Sequence, residues 1–105
     1  MNNYENVTVD KLANLYYDGN VISRNITFKD GSKKTLGVML PGEYEFSTQL
    51  KELIEICTGE LNLKLLDNPE WKIIKGGMSF DVPKNSSFKV KVSKLINYTC
   101  TYFDE

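Results

Sequence analysis

The sequence predicts an all-β fold, a single small barrel or sandwich. Three observations carry this expectation. Apolar and polar residues alternate with a period of 2 over most of the chain from Glu43 onward, turn residues recur about every ten positions, and no internal repeat or low-complexity linker marks a second unit. At 105 residues and 12.0 kDa the chain has room for one domain, expected over 1–105. Hydrophobic residues at 41% and charged residues at 26% are those of an ordinary globular core and surface.

The elements follow in order. Residues 1–15 mix polar and apolar types, with Val7, Val9, Leu12 and Leu15 available to a short strand or turn. Tyr16 to Val21 reads as a strand breaking into a turn, where Gly19 and Asn20 tolerate positive φ. Ile26 to Lys29 is a short strand, Asp30-Gly31-Ser32 a hairpin turn, and Thr35 to Leu40 an almost unbroken apolar strand stopped by Pro41-Gly42. Tyr44, Phe46 and Thr48 alternate with Glu43, Glu45 and Ser47. Lys51 to Cys57 would pass for a helix on propensity, but Thr58-Gly59-Glu60 reads as a turn answered by alternating Leu61, Leu63 and Leu65, so a hairpin is expected there. Trp71 to Ile74 follows the Asp67-to-Glu70 turn and ends at Gly76-Gly77. Met78, Phe80 and Val82 alternate up to the turn Pro83 to Ser86. Phe88, Val90 and Val92 form the next strand, and a last strand runs near Ile96, Tyr98, Cys100 and Tyr102.

Composition removes several function classes. The chain has no histidine, which excludes His-based zinc sites, a Ser-His-Asp triad and the commonest general base. A net charge of −1 and a pI near 5.5 argue against an electrostatic nucleic-acid binder. The N-terminal residues have neither a basic nor an apolar region of a signal peptide, and no apolar run reaches the ~18 residues of a membrane span, so no membrane partner is expected. Cys57 and Cys100 are read as free thiols acting as small hydrophobes in a reducing cytoplasm, with a disulfide as the alternative. Without a secretory signal the four Asn-x-Ser/Thr sequons are accidents of an Asn-rich chain.

Glu52 is the residue that alternation singles out. It shares a strand face with Ile54 and Ile56, and a carboxylate facing an apolar interior must find partners, be protonated or lie beside a substrate. Either it lies beside a ligand, accepting hydrogen bonds or stabilising positive charge there, or it bonds Thr48, a tyrosine hydroxyl or buried water and has a structural role only. Phe46, Phe80 and Phe88 are expected to face inward, as core or as flat surfaces for a planar ligand. Ser47 and Thr48 offer hydroxyl donors. Arg24, the one arginine beside twelve lysines, joins Lys33 and Lys34 around the hairpin as a candidate positive rim. Lys89, Lys91 and Lys94 read as a solvated strand face. Asp30 to Lys34 lacks the glycine spacing and the following helix of a phosphate-binding loop.

Two resemblances sharpen this reading. Glu52 and Gly59, with six residues between them, are spaced like the Glu and Gly of the first cupin motif, and Gly77, Pro83 and Asn85 are similar to the opening of the second. The cupin metal ligands would then fall at Phe46, Thr48, Glu52 and Phe88, so the chain resembles a cupin that has lost its metal. More specifically, Gly37-Val38-Met39-Leu40-Pro41-Gly42-Glu43-Tyr44-Glu45-Phe46-Ser47-Thr48 resembles the signature of the pyrimidine/purine nucleoside phosphorylase family of small bacterial cupins. Thr58 to Leu63, Trp71, Gly77 to Phe88, and Tyr98 with Cys100 continue the similarity over about residues 16–103. Where family proteins often carry a basic residue between that Cys and the final aromatic, this chain has Thr101.

The resemblance implies a cupin-type jelly-roll β-barrel and phosphorolysis of purine and pyrimidine nucleosides to free base and ribose 1-phosphate. It also implies a metal-free homodimer in the cytoplasm, with no cofactor beyond inorganic phosphate as co-substrate. Glu52 is the expected catalytic residue. Tyr44, Phe46, Ser47, Thr48, Phe80, Phe88 and Tyr98 are the expected substrate contacts, and Arg24, Lys33 and Lys34 the expected phosphate contacts. The alternatives are a non-catalytic, metal-free cupin that binds a small metabolite and, more distantly, a metal-dependent cupin isomerase or dioxygenase, whose sites want two or three imidazoles.

Overall fold

In the computed structural model, which describes residues 3–104, the backbone is built almost wholly of strands. These are β1 (Thr8–Val9), β2 (Asn14–Tyr16), β3 (Val21–Thr27), β4 (Lys33–Met39), β5 (Gly42–Ser47), β6 (Lys51–Leu65), β7 (Lys72–Lys75), β8 (Ser79–Val82) and β9 (Ser87–Phe103). Residues 1, 2 and 105 of the expected single domain lie outside the described residues. Among the described residues no helix is long and apolar enough to cross a membrane.

All pairings are antiparallel, and β6 and β9 organise them. The first half of β9 pairs with β5, from Gly42↔Val92 to Ser47↔Ser87, and with the second half of β6, from Leu61↔Val92 to Leu65↔Phe88. Its second half pairs with β4, from Lys34↔Thr101 to Met39↔Ile96, and with the first half of β6, from Lys51↔Phe103 to Ile56↔Tyr98. β8 adds to the first half of β6 and β7 to the second half. Two leaves, β3-β4-β9-β6-β8 and β5-β9-β6-β7, therefore share their two longest strands. The sheet does not close on itself: its path runs from β1 to β7. Buried Val21, Ile54, Ile56 and Ile96 of the first leaf meet Leu61, Leu63, Ile74 and Val90 of the second in one cluster. Each is on the inward parity of its strand, as the period-2 pattern requires.

The structure differs from the sequence expectation at three places. Thr58-Gly59-Glu60 is no hairpin turn, because β6 runs straight through it as a 15-residue strand. The register against β9 slips between Ile56 and Leu61, which marks a β-bulge. Gly59 sits there at φ +105°, and a Cβ would lie 2.2 Å from the Leu95 carbonyl oxygen. Phe88 to Val92 and Ile96 to Tyr102, expected as two strands, are one strand of 17 residues. In the Tyr16-to-Val21 turn the left-handed residues are Tyr17, Asp18 and Gly19, while Asn20 is right-handed helical. The Asp30-Gly31-Ser32 hairpin forms as expected: Phe28 N–H reaches the Ser32 carbonyl, and the Asp30 carboxylate accepts from Ser32 N–H and its hydroxyl.

Candidate active site

The strand parity that builds the core also opens a cavity of about 140 Å³ at one end of the shared interior. Glu52, Ile54 and their β9 neighbours Tyr98, Cys100 and Tyr102 form its floor. Ser23 and Thr35 project from β3 and β4, Phe46 and Ser47 from β5, and Phe88 from the start of β9. Tyr16 stands at the mouth, and Met39 completes the apolar side.

Register explains the grouping. Glu52 lies directly opposite Tyr102, while Cys100 lies between Thr35 on β4 and Ile54 on β6. The Cys100 thiol therefore reaches Glu52 Oε1 at 3.4 Å. Thr35 Oγ1 and the Tyr102 hydroxyl are 3.5 Å apart. Gly37 on β4 lets the Tyr98 ring lie flat against the backbone, since a Cβ there would sit 2.6 Å from the ring and its hydroxyl. The opposite wall is aromatic. Phe46 and Phe88 rings are tilted 33° at 5.4 Å, and Tyr16 meets Phe46 edge-on at 6.5 Å.

Burial sets the electrostatics. Desolvation raises the Glu52 carboxyl above the usual carboxylate range, and the thiol hydrogen bond only partly opposes it. Cys100 is pushed up by burial and then by the Glu52 charge, so its thiol stays protonated and donates. Tyr98 and Tyr102 are likewise raised, mainly by desolvation.

The expected site residues divide in two. Glu52, Phe46, Ser47, Phe88 and Tyr98 come together in the cavity. Tyr44 does not: it is buried beside the site with its hydroxyl donating to the Leu40 carbonyl at 2.7 Å. Thr48 ties the end of β5 to the next turn, donating to the Pro83 carbonyl and accepting from Ser86 N–H. Phe80 packs behind Phe88 at 5.9 Å. Arg24 and Lys34 follow and precede the inward residues Ser23 and Thr35, so alternation points them to the opposite face. There Arg24 donates to the Lys11 carbonyl, and Lys34 lies over the Tyr4 and Phe28 rings. Lys33 is exposed at the hairpin end of β4. Sequence reasoning missed Tyr16, Ser23, Thr35, Met39, Cys100 and Tyr102 as lining residues. Of these, Tyr102 carried a signal, its period-2 step from Tyr98 and Cys100. Both thiols are free, as expected, Cys100 buried and Cys57 exposed.

The four positions of a cupin metal shell do not fit a metal. Phe46 and Phe88 supply no donor, Thr48 Oγ1 is spent on two backbone groups, and Glu52 stands alone. Among the described residues no three Cys, Asp or Glu side chains converge elsewhere as ligands.

Residues 11–102 match the family model described as pyrimidine/purine nucleoside phosphorylase. The chain belongs to that family. A family relative from Chlorobium chlorochromatii, named pyrimidine/purine nucleoside phosphorylase, is 53% identical over 102 residues, covering 97% of this chain and 98% of the relative. Among solved structures, a protein of unknown function from Acinetobacter sp. ADP1 superposes with a TM-score of 0.93 at 40% identity, covering 96% and 98% of the two chains. An RmlC-like cupin from Shewanella frigidimarina, 16% identical with a TM-score of 0.69 over 93% of this chain and 84% of that one, places the family fold among the cupins. Its open two-leaf sheet is thus a cupin-type jelly roll.

Proposed function

We propose that this chain is a broad-specificity nucleoside phosphorylase, transferring the pentosyl group of purine and pyrimidine nucleosides to inorganic phosphate. The observation that carries the reading is the meeting, in one open cavity, of a carboxyl group, a row of hydroxyls and a pair of flat rings, in a chain of this family.

Each part has a task. Phosphorolysis must hold phosphate beside the anomeric carbon, tolerate positive charge on the sugar, and release the base. Phe46 and Phe88, with Tyr16 at the mouth, give a base two faces to lie against. Stacking accepts any base, which suits substrates of both ring classes. Ser23, Thr35, Ser47, Tyr98 and Tyr102 supply hydroxyls for ribose and phosphate, and Glu52 lies beneath them as the catalytic group. No cofactor is needed beyond phosphate, and the Phe46, Thr48 and Phe88 side chains leave Glu52 unable to hold a metal alone. The working molecule is a cytoplasmic homodimer.

The test is release of free base from mixed purine and pyrimidine nucleosides with and without phosphate. Phosphate-dependent release from both classes is the expected result. Binding of nucleosides without any release would make the chain a metabolite-binding cupin instead.

A further inference from the structure

The floor of the cavity has an electrostatic peculiarity. Among the described residues none that lines it is Lys or Arg, and the chain has no His. A phosphate bound there would share the space with the Glu52 carboxyl and no compensating cation. Confining a second anion there without a cation penalises ionisation of both, so phosphate keeps its own proton and a carboxyl already raised by burial is driven towards its neutral form.

Among the described residues no group that faces Glu52 supplies a positive charge. From β9 come Tyr98, Cys100 and Tyr102, and from β2 comes Tyr16. β4 and β5 offer Thr35 and Ser47, and β8 sets Val82 opposite it. The β9 groups are acids that burial keeps protonated and that could only become anions, so none can neutralise Glu52 by charge. Arg24 and Lys34 belong to the other face of β3 and β4, engaged with the Lys11 carbonyl and with two rings.

We infer that Glu52 enters the reaction as a neutral carboxylic acid and gives its proton to the departing nucleobase. This rests on the phosphorylase reading. In the balanced step, an unprotonated oxygen of hydrogen phosphate forms the bond to the anomeric carbon. The carbon–nitrogen bond to the base breaks, and its electron pair goes to the base. The base takes the Glu52 proton, on a purine ring nitrogen or a pyrimidine carbonyl oxygen. The carboxylate then recovers a proton from the phosphate group of the new ribose 1-phosphate. A need for one proton is what the two base classes share, so a single donor beside stacking rings accounts for breadth without a dedicated set of base-reading groups. Cys100, donating to Oε1, keeps that carboxyl turned into the cavity.

The experiment compares Glu52→Gln with the wild type on inosine, uridine and 7-methylguanosine at saturating phosphate. The base of the last already carries positive charge and leaves without taking a proton. General acid catalysis contributes about 10²–10⁴-fold, so the variant should fall about a hundredfold or more on inosine and uridine. On 7-methylguanosine it should fall less than about tenfold. Equal losses on all three substrates, or normal turnover on inosine, would overturn the proposal. Wild-type protein that releases base from none of them removes the phosphorylase reading itself, and the proton role with it. A second measurement holds even where the variant does not fold. In wild-type protein labelled with carbon-13 at the glutamate carboxyls, one signal should keep its protonated shift at pH 7 when phosphate is added. Fully ionised carboxyls under those conditions would overturn the proposal equally.

Discussion

Glu52 is where sequence and chemistry meet most directly. Its burial has a thermodynamic consequence that can be read without substrate. The folded state holds the proton more tightly than the unfolded chain, whose carboxyl titrates near its ordinary value of about 4.5. Below that value the group is neutral in both states and costs nothing. As pH rises through the raised folded pKa, the native state must accept a desolvated charge and stability falls. Glu52→Gln carries no such charge, so its melting temperature should gain on the wild type between pH 4 and pH 8. A constant difference across that range would mean that the carboxyl is not perturbed. The residue was legible because Ile54 and Ile56 follow it at steps of two. Ser23 and Thr35 were not, because the nearly unbroken apolar run from Thr35 to Leu40 shows no alternation from which an inward face can be read. The positive rim failed to gather for the same reason: the hairpin was legible, but the face presented by Arg24 and Lys34 was not.

At the scale of elements, most strands declared themselves by alternation and by turn residues, and the Asp30-Gly31-Ser32 hairpin formed where its composition placed it. The exception teaches more. A glycine between polar residues looks the same in a hairpin turn and in a bulge, and only the partner strand decides between them. Here β9 lies alongside β6 on both sides of Gly59, so the chain slips one register and continues. Gly59→Ala would drive a Cβ into the Leu95 carbonyl at a positive φ. Strain of that kind costs about 1–3 kcal/mol, and a domain of this size should melt at least roughly 4 °C lower. An unchanged melting point would mean that the bulge relaxes freely. The left-handed run at Tyr17 and Asp18 was also hidden, since neither residue type announces it. It persists because the Tyr17 hydroxyl is held from both sides, donating to the Glu45 carbonyl and accepting from Glu45 N–H.

For the whole molecule, fold class was the most legible property, because it depends on the sum of many weak periodic signals rather than on any one. Assembly follows from what the leaves leave uncovered. On the outer face of the first leaf Ile22 and Leu36 are exposed, with Val38 and Leu53 half-buried beside them. An apolar strand face of this kind on a small jelly roll suits self-association. Light scattering at micromolar concentration should therefore give a mass near twice the 12.0 kDa of the chain, and a monomer mass would exclude the dimer. The shared strand has a consequence for synthesis as well. β9 comes last in the sequence yet lies at the centre, bonded to β4, β5 and β6. As the polypeptide leaves the ribosome, β5 has no partner of its own and β4 and β6 each keep an open edge. Stepwise closure of the jelly roll during translation is therefore impossible, and a nascent chain halted before Ser87 would expose three unpaired edges to chaperones or to its neighbours.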